Sequence, residues 1–220
     1  MDDSYILSHV DHTLLTATAS WEEISKLCEE AIKFKTASVC VPPHYIKRIR
    51  DTYPAQNVGS VIGFPLGYDA IATKAVAVRM AVAEGVDELD MVINLADVKN
   101  AEFDKIKTEI SVLKQIAESK ILKVIIETCY LTEEEKIMLC KIVTEAGADY
   151  IKTSTGLGTA GATLADVALF KEYVGPEVKI KAAGGIRKRE DMVAFLQAGA
   201  ERLGTSSAVK ILTGGKAEGY

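Results

Sequence analysis

The chain has few cysteines, and none are arranged to staple a fold or bind a metal. Cys28, Cys40, Cys129 and Cys140 form no CxxC pair and no finger-like spacing, so neither a disulfide framework nor a thiolate zinc site is indicated. They read as reduced thiols of a cytoplasmic protein, with Cys28 and Cys140 as plain core residues of helical segments. No apolar run approaches the ~20 residues that cross a bilayer. The acidic start, Met1-Asp2-Asp3-Ser4, lacks the basic and then apolar pattern of a secretory signal, so a membrane is not an expected partner. Positive charge is not in excess either. Lys plus Arg number 26 against 31 Asp plus Glu, a formal charge of −5, and neutralising a nucleic-acid backbone needs a basic field. A small anion can still be held by a local pocket. Histidine is scarce. His9 and His12 lie three apart in a strand-like run, hence on opposite faces, and His44 opens a helix. All three read as packing or surface residues, and no metal is expected.

Low-complexity segments, long linkers and breaks in composition are also missing. What remains is a chain of 220 residues, 48% hydrophobic, enough for one domain with a substantial core. Short β-branched runs alternate with amphipathic stretches along its whole length. The runs are His9–Thr13, Ala37–Val41, Val58–Phe64, Glu88–Asn94, Leu122–Thr128, Tyr150–Thr153, Val178–Ala182 and Arg202–Ser206. Helical patterns lie near Trp21–Phe34, His44–Thr52, Ala70–Ala83, Ala101–Glu118, Thr132–Ala146, Leu164–Tyr173, Arg189–Gln197 and Ser207–Leu212. Thr132-Glu133-Glu134-Glu135 reads as a capping box, and Gly85, Gly147 and Gly199 suit left-handed helix ends. Strand–helix alternation implies a parallel sheet. No GxGxxG follows the first strand, which disfavours a doubly wound sheet. Eight units imply a (β/α)₈ TIM barrel, one domain over residues 1–220.

In such barrels the C-terminal strand ends carry the site. Reading each run to its end gives Asp11, Cys40, Asp90, Asn94, Glu127, Lys152, Lys181 and Ser206. Lys152 and Lys181 fall on the sixth and seventh strands. If Ile151 and Ile180 face the helices, alternation points both lysines into the barrel mouth. A free lysine titrates near pH ~10.4, and closing a gap of roughly three units needs about 4 kcal/mol. Two unit charges ~4 Å apart interact by about that much at an effective dielectric of ~20. A protonated Lys181, held by Asp90 and Asp11, can therefore depress most of the Lys152 pKa. Either lysine alone reads as a strand-end residue reaching solvent. Two on adjacent strands, beside acids on others, read as Schiff-base machinery.

Beyond Lys181, the pair Gly184-Gly185 allows close backbone approach to a ligand. Gly204-Thr205-Ser206-Ser207 leads from the eighth strand into a short helix. Loops after the seventh and eighth strands form the recurring phosphate site of barrel enzymes. Thr155-Gly156-Leu157-Gly158-Thr159-Ala160-Gly161 is a third glycine-rich segment able to close over the same anion. Arg187 either adds charge there or is a solvated arginine at a helix start.

Taken together, the segments Asp11-His12-Thr13-Leu14-Leu15, Gly63-Phe64-Pro65-Leu66-Gly67, Glu88-Leu89-Asp90-Met91-Val92-Ile93-Asn94, Lys123-Val124-Ile125-Ile126-Glu127-Thr128, Lys152-Thr153-Ser154-Thr155-Gly156 and Lys181-Ala182-Ala183-Gly184-Gly185-Ile186-Arg187 resemble the signature blocks of the deoxyribose-phosphate aldolases. They span nearly the whole chain in the family's order. The resemblance implies a (β/α)₈ barrel and reversible cleavage of 2-deoxy-D-ribose 5-phosphate to D-glyceraldehyde 3-phosphate and acetaldehyde, without metal or other cofactor. It implies Lys152 as the Schiff-base lysine, Lys181 as its activator and Asp90 as the proton-relay acid. Asp11 then supports the lysines and a substrate hydroxyl. Gly156, Gly184, Gly185, Ser206 and Ser207 form the phosphate cradle, and Tyr220 is a proton-transfer residue on the tail. It further implies a homodimer or higher homo-oligomer. Leu157 departs from members with a lysine near the phosphate, and Pro42 from those with asparagine. Cys40, in the mouth, is an expected site of self-inactivation by unsaturated aldehyde. The rivals are a Schiff-base aldolase with another donor, a phosphosugar isomerase barrel, and a non-catalytic phosphate-binding barrel.

Overall fold

The computed structural model describes residues 1–215, and in it eight parallel strands close into one barrel in chain order. They are β1 (Val10–Thr13), β2 (Ser38–Val41), β3 (Val58–Ile62), β4 (Glu88–Val92), β5 (Ile121–Ile125), β6 (Tyr150–Lys152), β7 (Lys179–Ala183) and β8 (Arg202–Thr205). Strand β8 pairs back onto β1, with Asp11 opposite Gly204. The main helices are those the periodicity predicts: α2 (Trp21–Phe34), α3 (Ile46–Thr52), α4 (Ile71–Ala83), α6 (Phe103–Ala117), α7 (Glu133–Glu145), α8 (Leu164–Tyr173), α9 (Arg189–Ala198) and α10 (Ala208–Leu212). Two further five-residue helices, α1 (Asp3–Leu7) and α5 (Leu95–Lys99), are not among the helical patterns read from the sequence.

Local chemistry fixes the boundaries. Ser20 with Glu23 and Thr132 with Glu135 form reciprocal capping boxes at the starts of α2 and α7. Gly199 closes α9 at φ +113°, a conformation that costs glycine little. Strand β3 stops short of Phe64 because Gly63 turns out at φ +62°. Some assignments move: Glu127 and Ser206 lie just beyond β5 and β8 rather than at their ends. His9 precedes β1 rather than lying in it, and its Nδ1 sits 2.8 Å from the carbonyl of Tyr5. Asn94 is not a strand end but the N-cap of α5, its Oδ1 accepting from Ala96 N at 3.1 Å.

Alternation along each strand divides the side chains between two environments. On and just after β4, Leu89, Met91 and Ile93 join the buried cluster between sheet and helices, as do Leu122, Val124 and Ile126 around β5 and Ile151 and Ile180 on β6 and β7. Their neighbours Glu88, Asp90, Lys123, Lys152 and Lys181 turn inward and are all buried. The interior of this barrel is thus filled largely by charged groups, where branched apolar layers are the usual filling.

A second buried pair anchors the rim. Lys74 on α4 is fully buried and donates to Glu109 of α6 (2.6 Å), to the carbonyl of Gly67 (2.6 Å) and to that of Val92 (2.8 Å). It therefore ties the β3–α4 loop and the end of β4 to the helical ring. A Cβ at Gly63 would lie 2.7 Å from Lys74 Cε, so glycine there makes room for the lysine. Removing one member of a buried pair leaves an uncompensated charge. Lys74→Met is expected to cost about 3 kcal/mol, read as a lowered thermal midpoint; an unchanged midpoint would count against this anchor.

Candidate active site

The inward side chains meet around two carboxylates. Lys152 and Lys181 are register partners on β6 and β7, and both donate to Asp90 Oδ2, at 2.7 and 2.6 Å. Asp90 Oδ1 accepts from Lys123 Nζ at 2.9 Å. Asp11 Oδ2 takes a very short bond from Lys181 and one of 3.1 Å from Lys123. Asp11 Oδ1 takes Ser38 Oγ at 2.7 Å and Arg202 Nη1 at 2.5 Å. The structure therefore brings Lys152, Lys181, Asp90 and Asp11 into one cluster. It adds Lys123, Glu88 and Arg202, which a search of strand ends passes over because all three lie lower on their strands. The signal was present: Lys123 is one strand alternation before Ile125, the register partner of Lys152.

Burial and charge set the proton affinities. Burial pushes the Asp11 carboxyl upward, but Lys123, Lys181 and Arg202 outweigh it and hold it well below the usual carboxylate range. Asp90 is likewise depressed, with Lys123, Lys152 and Lys181 overcoming burial. Burial lowers Lys181 and Lys123, yet the acids around them win and raise both. Lys152 alone among the three lysines is depressed. Burial is the largest cause, Asp90 opposes it, and Lys181 adds a smaller downward push. The expectation that Lys181 supplies most of the shift is thus corrected: desolvation leads, and the charged twin assists.

Access separates the lysines further. A cavity at the mouth is lined by Lys152, Thr155, Gly156, Gly184, Gly185, Ser206 and Ser207, and also by Thr13 and Arg187. Neither Lys181 nor Lys123 reaches that wall. The loop after β6 lies against the loop after β7, Ala162 N donating to the carbonyls of Ala183 (3.0 Å) and Gly184 (3.1 Å). A Cβ at Gly161 would sit 2.2 Å from Gly184 O, so only glycine permits this contact. Glu127, in the left-handed region at φ +51° beyond β5, accepts from Thr155 N at 3.1 Å and Thr155 Oγ1 at 2.5 Å, which fixes the start of the same loop. The Leu157 side chain is exposed and its N–H bonds Thr155 Oγ1 at 3.0 Å. Tyr220 lies outside the described residues.

Residues 5–213 match the family described as DeoC/LacD family aldolase. The chain belongs to that family. The aldolase is similar to the deoxyribose-phosphate aldolases of Clostridium botulinum strain Alaska E43 (57% identity, all of both chains) and Clostridioides difficile strain 630 (54% identity, 94% of this chain and 95% of that one). Its fold superposes on the tetrameric deoxyribose phosphate aldolase of Aeropyrum pernix with a TM-score of 0.90, at 32% identity over 96% and 91% of the two chains.

Of the polar residues elsewhere in the aldolase, His12 is buried, its Nε2 2.9 Å from Glu30, and it packs outside the mouth. Among the described residues no three His, Cys, Asp or Glu side chains converge as a metal-binding group, and no helix is long and apolar enough to cross a membrane. Cys40 is buried, and burial, then Asp90, pushes its thiol up to about 11. The reactive thiolate is then on the order of 10⁻⁴ of the population near neutrality, which weakens the expectation of a self-inactivating nucleophile. Alkylation at pH 7.5 is expected to label the half-buried Cys129 first, with Cys28, Cys40 and Cys140 protected. Peptide mapping that finds Cys40 modified first would contradict this ordering.

Proposed function

We propose that this aldolase reversibly cleaves 2-deoxy-D-ribose 5-phosphate to D-glyceraldehyde 3-phosphate and acetaldehyde through a Schiff base on Lys152. One observation carries this reading: Lys152 is the lysine of the cluster that both faces the cavity and has a depressed proton affinity. Its near relatives are deoxyribose-phosphate aldolases by name, which supports the choice of substrate.

Neutral Lys152 Nζ attacks the aldehyde carbon of the open-chain sugar, and the carbinolamine loses water to give an iminium. The iminium nitrogen accepts the electron pair released when the bond between the second and third carbons breaks, while a base removes the proton of the 3-hydroxyl. Glyceraldehyde 3-phosphate leaves. The enamine is protonated on carbon, and hydrolysis releases acetaldehyde and regenerates the amine. Asp90, whose Oδ2 holds Nζ at 2.7 Å, is the relay acid, with water carrying protons to bulk solvent. Lys181 keeps a positive charge beside the nucleophile and is held by Asp11. The backbone of Gly184-Gly185 and of Ser206-Ser207, with Gly156 across the cavity, cradles the phosphate, and Arg187 in the same lining adds charge.

Reduction with borohydride in the presence of acetaldehyde is expected to add mass to the peptide carrying Lys152. Lys152→Met should lower turnover by a factor on the order of 10⁴. A phosphosugar isomerase would tolerate that change, and an aldolase with another donor would prefer ribose 5-phosphate to the deoxy sugar. Trapping on any other lysine would reassign the nucleophile.

For assembly we infer a homo-oligomer, in a compartment reducing enough to keep four free cysteines. Val76 and Met80 lie four residues apart on α4, both exposed, so they share one face of the outer ring. A second copy covering that face would bury them. Val76→Glu with Met80→Glu is expected to lower the mass in sedimentation; an unchanged mass would move the interface elsewhere.

A further inference from the structure

Below the proposed chemistry, the barrel holds a charge pair that does not line the cavity. Glu88 opens β4 and Arg202 opens β8. Arg202 Nη1 donates to Glu88 Oε2 at 2.9 Å and Oε1 at 3.1 Å, and to Asp11 Oδ1 at 2.5 Å. Glu88 also takes Lys123 Nζ at 2.5 Å and Asn57 Nδ2 at 2.8 Å. Lys123 reaches Asp90, and Asp90 reaches Lys152. The pair is therefore joined to the nucleophile through one ammonium, Lys123, and one carboxylate, Asp90, both buried.

The cluster joined by these ion pairs, to which the buried Glu127 does not belong, has a definite charge balance. Its carboxylates are Asp11, Glu88 and Asp90; its cations are Lys123, Lys181, Arg202 and, when protonated, Lys152. The sum is zero with Lys152 neutral and +1 with Lys152 protonated. Lys152 borders the cavity, but Asp11, Asp90, Lys123 and Lys181 are fully buried, so screening of the excess is weak. The charged or titratable groups facing Lys152 are Asp90 of β4, Lys181 of β7, Cys40 of β2 and Glu127 beyond β5. Those facing Arg202 are Asp11 of β1, Glu88 of β4, Lys123 of β5 and the Tyr150 ring of β6, 5.6 Å away.

We propose that Glu88 and Arg202 are positioning residues for the proton of Lys152, fixing the buried cluster at electroneutrality when that amine is unprotonated. This rests on Lys152 being the Schiff-base nucleophile. Removing the Glu88 charge leaves the cluster positive even with Lys152 neutral, so Lys152 releases its proton more readily. Removing the Arg202 charge leaves it negative, so Lys152 keeps its proton. A purely structural role predicts no such opposition of sign.

The test is the pH dependence of Lys152 trapping by acetaldehyde and cyanoborohydride, followed by mass spectrometry on folded protein. Glu88→Gln is expected to move the midpoint to lower pH, and Arg202→Gln to higher pH. Each shift should be about one unit, as for a unit charge roughly 10 Å away at an effective dielectric of ~20. The double variant should return to the wild-type midpoint, and Arg202→Lys should keep it. Should Glu88→Gln fail to fold, the contrast between Arg202→Gln and Arg202→Lys still decides the sign. Midpoints that stay fixed, or that move in the same direction, overturn the proposal while leaving the nucleophile intact. A wild-type protein that is not trapped at Lys152 overturns the nucleophile assignment itself, a distinguishable failure.

Discussion

One carboxylate oxygen organises the interior. Asp90 Oδ2 accepts from both Lys152 and Lys181 while its other oxygen accepts from Lys123. Burying three amines side by side is prohibitive unless acids stand among them. A closed barrel can place those acids because strands on opposite sides point at a common axis: Asp11 comes from β1 and Asp90 from β4, on either side of the arc that supplies the lysines. The same closure leaves no sheet edge. Packing of the strands against the helical ring supplies the apolar burial that the charged interior forgoes.

Sharing Asp90 also distinguishes lysines that the bare sequence presents as equals. Lys181 and Lys123 each have a second acid, Asp11, and Lys123 has Glu88 as a third. Among the described residues Lys152 forms an ion pair with Asp90 alone, whose charge is divided among all three amines. Desolvation then prevails at Lys152 and fails at the other two. Glycine at 204 belongs to this arrangement, since a Cβ there would lie 3.1 Å from Lys181 Cε and 2.9 Å from the Ala183 side chain.

Legibility in the sequence followed the physics of each signal. Eight β-branched runs separated by amphipathic stretches specify a barrel because period-2 and period-3.6 patterns are hard to confuse over that many repeats. The lysines at 152 and 181 were visible as charges at the ends of apolar strands. Lys123 and Arg202 were not, because they sit low on β5 and β8, where a charge reads as a strand flank facing solvent. Glu88 was hidden in the same way at the start of β4. The order of causes behind the depressed Lys152 was out of reach too: a sequence shows which charges are adjacent but not how dry their surroundings are. His9 was misplaced because an apolar run cannot mark where pairing with β2 and β8 begins.

The proton affinities also connect activity to stability. Asp11 and Asp90 have folded pKa values below their unfolded ones. Their stabilisation is present above about pH 3.9, and acid removes it as the pH falls through the lower folded values. Lys123 and Lys181 are raised, so theirs is complete below about pH 10.4 and is lost as the pH climbs through the folded values. Lys152 runs the other way. Its folded pKa lies below the unfolded one, so the unfolded chain binds that proton more tightly. Its contribution is least favourable below the folded pKa, and the cost fades as the pH rises toward about 10.4. Near neutrality four buried charges therefore stabilise the barrel while the nucleophile opposes them. Reactivity at Lys152 and the strain it places on folding are one quantity, and the neighbouring ion pairs allow the fold to tolerate it.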